Sequence, residues 1–94
     1  MAPFLISYDI NEKDTFEYQP LWDKLKALGA VRILFSEWVI LIQPSQYVSL
    51  YNERSSIIQA KDRLLVQELG RSCAWEKLLI SDDEFRALMR GARF

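Results

Sequence analysis

Asp9 is the residue of this sequence whose type and position are best suited to chemistry. It lies near the end of an apolar run, residues 4–10, that is bounded by Pro3 on one side and by a polar segment on the other. Short apolar runs with such boundaries are typical of β-strands. A strand that ends on an aspartate places a carboxylate at the rim of a sheet, where cations and phosphates can approach.

The absence of histidine narrows the chemistry that this carboxylate could support. Ser-His-Asp and Cys-His catalysis and every zinc site with a histidine ligand are excluded. Cys73 is the single cysteine, so a catalytic metal would be a hard cation held by oxygen ligands, Mg²⁺ or Mn²⁺. Asp9 would need further ligands, for which Asn11, Ser36 and Glu37 are candidates. In the alternative interpretation, the Asp9 side chain caps the turn that follows the strand.

A second set of residues could bind nucleic acid. Arg32, Arg63 and Arg71 could contact phosphates, and Tyr8 or Trp38 could stack on bases. In the alternative interpretation, the arginines pair with neighbouring acidic side chains and the aromatic side chains belong to the core.

The C-terminal segment carries a small basic group of its own, formed by Arg86, Arg90 and Arg93. These arginines could meet an anionic partner, although arginines near the end of a helix are usually surface residues that match the helix dipole. Nothing in the sequence places a catalytic partner beside Cys73, and we interpret this cysteine as structural or incidental.

Composition indicates one globular domain of 94 residues, with 50% hydrophobic and 27% charged residues. The net charge of −1 and the pI near 5.4 argue against a protein that holds nucleic acid by bulk positive charge, but they allow a local basic patch. A single cysteine fits a reducing compartment and predicts a cytoplasmic location. We expect neither a signal peptide nor a membrane partner, because the N-terminus lacks a basic region and no apolar run approaches the roughly 20 residues that span a bilayer.

The rest of the chain predicts the elements that must position these residues. Leucines recur at helical spacing in residues 18–29, and Gly29 can close that helix. Residues 30–43 are rich in β-branched and aromatic side chains and predict two antiparallel strands that turn near Ser36 and Glu37. A second helix follows Pro44, and residues 63–69 predict a fourth strand that Gly70 stops.

The order β-α-β-β-α-β predicts a ferredoxin-like α+β sandwich, with two helices on one face of a four-stranded antiparallel sheet. In this prediction the single domain has a core, residues 4–69, and a C-terminal extension, residues 70–94. Within the extension, residues 75–80 fit a fifth strand or a helical piece, and residues 82–90 a short helix.

The second face of the predicted sheet also needs a cover, because apolar residues point to both faces. Either a homodimer or the extension folded back across the sheet could provide it. The candidates for covering residues are Leu34, Trp38 or Val39, Trp75, Leu78 and Leu79.

Three pieces of the chain together resemble the CRISPR-associated Cas2 protein and the wider Cas2-like superfamily of small ferredoxin-like proteins. They are Leu5-Ile6-Ser7-Tyr8-Asp9-Ile10; Leu25-x-x-Leu28-Gly29-Ala30-x-Arg32-x-x-x-Ser36-x-Trp38; and Asp62-Arg63-Leu64-Leu65-Val66. The resemblance covers about residues 4–69, and it rests on the order and spacing of the pieces rather than on any one motif.

This resemblance implies a homodimer whose two sheets face each other and which binds nucleic acid. Cas2 proteins bind duplex DNA, so the resemblance favours DNA over RNA. Some members are similar to metal-dependent endonucleases, in which the aspartate that ends the first strand holds a divalent ion at the dimer interface. That aspartate corresponds to Asp9, so two copies of it could share one Mg²⁺ or Mn²⁺ ion. The serine before the third strand lies near the same cleft in the family and corresponds to Ser36.

The chain also departs from the family pattern. Members often carry basic residues after the first strand, whereas this chain has Glu12, Asp14 and Glu17 there, and the segment after Gly70 has no clear counterpart. We therefore expect a member of the broader Cas2-like group. A non-catalytic ferredoxin-like module, which binds a partner protein or serves in a toxin-antitoxin or regulatory pair, is the alternative function. A small-molecule sensor is a third.

Overall fold

The computed structural model describes residues 1–9, 18–58 and 62–91. The strands are β1 (Ala2–Asp9), β2 (Val31–Leu34), β3 (Glu37–Ile42) and β4 (Arg63–Glu68). The helices are α1 (Tyr18–Ala27), α2 (Tyr47–Asn52), α3 (Arg54–Ile57) and α4 (Asp82–Met89), and a 3₁₀ turn, Pro44–Gln46, precedes α2. The predicted polar connection over residues 11–17 lies outside the described residues.

One open sheet contains all four strands in the order β2-β3-β1-β4, and every neighbouring pair is antiparallel. β1 is therefore a central strand: Ile6 pairs with Trp38 on one side and with Val66 on the other. The predicted α+β class, the four-stranded antiparallel sheet and the turn between β2 and β3 are confirmed.

The first face of the sheet packs against the helices. Side chains alternate along a strand, so Phe4, Ile6 and Tyr8 share one face, and all three are buried. Leu21 and Leu25 of α1, which lie one helical turn apart, pack against them. The other buried residues of this helix-side core are Ala30, Trp38, Ile40 and Leu50.

Gly29 closes α1 as predicted. Its φ of 89° is left-handed, a conformation that glycine adopts without a Cβ penalty. The Gly29 N–H donates to the Lys26 carbonyl at 2.9 Å and the Ala30 N–H to the Leu25 carbonyl at 3.0 Å, the bonding pattern of a Schellman motif. The turn directs the chain straight into β2.

The C-terminal extension covers much of the second face. Phe85 and Leu88 of α4 are buried against Val39 and Ile33, and the Trp75 and Phe85 ring centroids are 4.7 Å apart. The extension folded back is thus the cover that the structure shows. Together, Ile33, Val39, Phe85 and Leu88 form a second core on this face. Of the two candidates Trp38 and Val39, only Val39 belongs to it, since Trp38 faces the helices.

The prediction that Leu34 and Leu79 help to cover the second face was wrong. Leu34 is 39% exposed and Leu79 is 60% exposed, so neither closes the core. The segment from Trp75 to Ile80 forms neither the strand nor the helix expected of it. It runs instead beside the edge strand β2, where the Leu79 N–H donates to the Ile33 carbonyl at 2.9 Å. The helix that follows is confirmed as α4, and Ser81 caps it by accepting from the Glu84 N–H at 3.1 Å.

The covered face bears on the predicted dimer. The resemblance implies that two sheets face each other, yet α4 and Trp75 of the same chain occupy the part of that face around Leu5 and Val39. Asp9, Arg63 and Leu65, on the uncovered part, are exposed. The homodimer stays a prediction. Among the described helices, none has the length and apolar character to cross a membrane.

We expect Phe85→Ala to destabilise the chain by about 3–5 kcal/mol, because it removes a buried ring and leaves a cavity between α4 and the sheet. Thermal unfolding followed by circular dichroism measures this loss. Leu79→Ala is the matched control in the same segment, since its side chain is 60% exposed. Equal melting temperatures for the two variants would contradict the packing of the extension on the sheet.

Candidate functional site

The candidate site lies at the end of the sheet where β1 ends and β4 begins. Asp9 pairs in register with Arg63, and the Tyr8 N–H donates to the carbonyl of Ser36 at 3.1 Å. Three of the residues predicted from the sequence, Asp9, Ser36 and Arg63, are therefore brought to one end of the sheet. We call this end the rim.

Asp9 and Arg63 form an ion pair in solvent. The Arg63 Nη1 lies 3.4 Å from the Asp9 Oδ2, and the two side chains are 86% and 72% exposed respectively. Exposed pairs of this kind contribute only about 0–1 kcal/mol to stability. The pair therefore leaves both groups able to exchange partners with a ligand.

The ligands described around Asp9 do not by themselves fit a divalent metal. Within residues 1–9, 18–58 and 62–91, no group of three cysteine, aspartate or glutamate side chains is placed to hold an ion. Asp9 offers a single carboxylate, and the charged partner beside it is a guanidinium rather than a second acid. Asn11, one of the expected further ligands, lies outside the described residues. The metal role of Asp9 stays a prediction.

The two aromatic residues expected to stack on bases lie in the core beneath the rim. Tyr8 and Trp38 are both buried, and the Trp38 Nε1–H donates to the Tyr8 hydroxyl oxygen at 3.2 Å. This hydrogen bond gives the indole N–H a partner away from water, as buried polar groups require. Both rings belong to the helix-side core.

Arg32 lies in an aromatic cluster at the end of β2. Its guanidinium carbon is 4.4 Å from the centre of the Trp22 ring and 4.7 Å from that of Phe35. Its Nε and Nη2 groups also donate to the Phe35 carbonyl, at 3.2 and 2.8 Å. The two rings meet edge to face, with centroids 6.5 Å apart. We call Trp22, Arg32 and Phe35 the aromatic–arginine cluster.

Phe35 is the surface residue of this cluster that sequence reasoning missed. It lies in the turn between β2 and β3, and 68% of the residue is exposed. Its position next to the predicted turn could have indicated an exposed aromatic ring, because turns lie on the surface. The cluster thus presents an aromatic face beside a cation, the combination that stacking and cation–π recognition use.

No protein-family model matches the chain. The fold defines an α+β protein with one open antiparallel sheet, with Arg63 at the rim on the edge strand β4 and Arg32 on the opposite edge strand β2. The resemblance to the Cas2-like group rests on the sequence pieces alone.

We expect Tyr8→Phe to lower the free energy of unfolding by about 1–3 kcal/mol, because it leaves the buried Trp38 N–H without its acceptor. Urea unfolding measures the change, with the same dependence on denaturant expected for wild type and variant. Tyr51→Phe is the control, since Tyr51 lies on the surface of α2. A Tyr8→Phe midpoint equal to that of Tyr51→Phe would show that the hydrogen bond contributes nothing.

Proposed function

We propose that this chain is a ferredoxin-like module that binds single-stranded nucleic acid, DNA in preference to RNA, at the rim of its sheet. The order β-α-β-β-α-β of the core elements supports the ferredoxin-like part of the proposal. The Cas2-like relationship stays a prediction. The proposed preference for DNA rests on it, whereas the proposed binding at the rim does not.

The observation that carries the proposal is the exposed Phe35 ring beside the Arg32 guanidinium. Base–aromatic stacking is tolerant of sequence and contributes about 1–3 kcal/mol per base. Single strands leave base faces open to such a ring, whereas a duplex stacks them internally. The Arg32 side chain is held by two rings and by two hydrogen bonds to the Phe35 carbonyl, so its position is fixed before a ligand arrives.

Arg63 would supply a second phosphate contact at the rim. Its guanidinium is 86% exposed and is bound only to the similarly exposed Asp9 within the described part of the chain. A phosphate could replace that carboxylate because an exposed ion pair is weak. Ser36, whose carbonyl ties the β2–β3 turn to Tyr8, positions the turn that carries Phe35.

The net charge of −1 fits a binder with few phosphate contacts. With two phosphate contacts, by Arg32 and Arg63, the logarithm of the binding constant should fall with the logarithm of the salt concentration with a slope of about −1.4. Each phosphate contact on a single strand contributes about −0.7 to this slope. A protein that held nucleic acid by bulk charge would show a much steeper slope.

We expect Phe35→Ala to weaken binding of a fluorescent deoxythymidine 15-mer by about 5- to 100-fold, as loss of one stacked base predicts. We expect Arg63→Gln to lower the magnitude of the salt slope by about 0.7. Fluorescence anisotropy over a salt series measures both, with the ribonucleotide 15-mer and a duplex as comparison ligands. Arg54→Gln and Leu79→Ala are the controls for an exposed arginine and an exposed apolar residue away from the cluster.

Equal affinity of Phe35→Ala and Leu79→Ala would overturn stacking at the rim. Failure of wild type to bind any oligonucleotide at low salt would overturn nucleic-acid binding altogether. A protein-interaction module would then be the better function, and a specific surface favours it: Tyr47, Val48 and Tyr51 on α2 are each about half exposed.

Asp9→Asn separates a binding module from a metal-dependent endonuclease. If the rim only binds, removing this negative charge frees Arg63 and should tighten oligonucleotide binding by about 2- to 5-fold, the equivalent of about 0.4–1 kcal/mol. If Asp9 holds Mg²⁺ or Mn²⁺, the substitution should abolish metal-dependent cleavage of DNA or RNA. Binding measured in EDTA and cleavage measured with each metal distinguish the two results. Cleavage by wild type that Asp9→Asn loses would replace our proposal with the endonuclease.

A further inference from the structure

A cleft of about 520 Å³ lies at the end of the sheet opposite the rim, where β1 begins and β4 ends. Ligand sites in proteins typically occupy about 300–1,000 Å³, so the cleft is large enough for a small molecule. The start of β1, the chain that follows β4 and the C-terminal half of α4 form its walls.

Three arginines line this cleft: Arg71, Arg86 and Arg90. Glu68 is the one acidic side chain among the lining residues, which leaves an excess of positive charge in a chain whose net charge is −1. Arg86 lies on α4 and Arg90 caps its C-terminus four positions later, a spacing at which like charges repel. Arg86 forms an ion pair with Asp83 at 3.5 Å, which partly offsets this repulsion. Arg71 and Arg90 have no ion pair within residues 1–9, 18–58 and 62–91.

A smaller cavity of about 230 Å³ adjoins the cleft and is mainly apolar. Leu69, Cys73 and Trp75 line both spaces, so the two meet at these residues. The walls of the smaller cavity also include one acidic residue, Glu76, and the apolar residues Leu5, Ile33, Leu34, Ala74, Leu78 and Phe85. A basic cleft thus lies beside a mainly apolar cavity.

Backbone contacts hold the cleft in shape. Gly91 has a left-handed φ of 80°, and a Cβ atom there would collide with the carbonyl oxygen of Met1. Only glycine therefore allows the end of α4 to approach the start of β1 so closely. On the facing wall, the Leu69 N–H donates to the Pro3 carbonyl at 2.9 Å.

We propose that this cleft binds a small amphipathic oxyanion. Arg71 and Arg90 bind its carboxylate or other oxyanion head, because guanidinium groups pair with such oxygens through two parallel hydrogen bonds. The apolar body of the ligand enters the cavity lined by Leu69, Trp75 and Phe85. This site is independent of the proposed function, since it shares no residue with the rim.

Displacement of the fluorescent anion 8-anilinonaphthalene-1-sulfonate from the full chain tests the proposal. We expect decanoate to displace the dye at least about tenfold more tightly than decanol, which lacks the charge, or inorganic phosphate, which lacks the apolar body. The double variant Arg71→Gln/Arg90→Gln should weaken decanoate binding by at least about tenfold, as loss of two charge-assisted hydrogen-bonding partners predicts. Arg54→Gln, an exposed arginine on α3, is the matched control.

Equal affinities for decanoate and decanol would show that the arginines do not recognise the charged head group. Equal affinities for decanoate and phosphate would show that the cavity does not bind the apolar body. A double variant that binds decanoate as tightly as Arg54→Gln would overturn the role of the two arginines. Both arginines are exposed, so we expect the double variant to fold, and its circular dichroism spectrum checks this.

Cys73 offers a second test that needs no variant. It is the single cysteine, it is exposed, and it lines both spaces, so an occupied site should shield it. We expect saturating decanoate to slow its alkylation by iodoacetamide several-fold, followed by intact mass, while decanol at the same concentration does not. An alkylation rate that decanoate leaves unchanged would contradict a ligand in this cleft.

Discussion

The structure depends on one constraint: its sheet is apolar on both faces. Ile6 faces the helices and Val39 faces the opposite side of the sheet, and both are fully buried. They lie on the two central strands of a single open sheet. Helices packed on one face alone cannot bury such a sheet, because exposure of the second face would leave a large apolar patch in water. The C-terminal extension supplies the missing layer from the same chain, through Trp75, Phe85 and Leu88.

The way in which the extension covers this second face also determines which parts of the sheet remain open to other molecules. The extension covers the middle of the second face and leaves the two ends of β1 open. At one end are Asp9 and Arg63 of the rim, and at the other is the cleft between Met1 and the C-terminal half of α4. Both candidate surfaces therefore depend on the path of the extension, the rim by being left uncovered and the cleft by having α4 as its wall.

Sequence patterns predicted the elements that local chemistry determines. The apolar run at residues 4–10, the leucine spacing of α1 and the glycine that closes this helix each favour a conformation without reference to distant residues. Within its described part the structure contains the strand up to Asp9, the helix and the left-handed Gly29. The path of residues 75–80 could not be predicted, because it follows from a backbone hydrogen bond to β2 and from ring packing against Phe85.

The candidate site was predictable in position but only partly in detail. Asp9 and Arg63 meet because antiparallel pairing brings the end of β1 beside the start of β4, and Ser36 lies at the same end because its carbonyl accepts from the Tyr8 N–H. The sequence predicted the elements in chain order, but not the order of the strands within the sheet. The orientation of Tyr8 was not settled beforehand, since a shift of one residue along a strand exchanges the two faces of a sheet. The cation–π contacts of Arg32 depend on Trp22, which lies ten positions earlier on a different element, and no local pattern joins the two.

A net charge near zero conceals the way in which charge is distributed over this molecule. Arginines lie at both candidate surfaces, and several described arginines contact aromatic rings: Arg32 contacts Trp22 and Phe35, Arg54 contacts Tyr51, and Arg86 contacts Trp75. Guanidinium groups are more weakly hydrated than ammonium groups and stack well, so such contacts hold a cation at the surface without neutralising it. The anion binding that we propose would therefore depend on single, oriented arginines, and it would not require the protein as a whole to be basic.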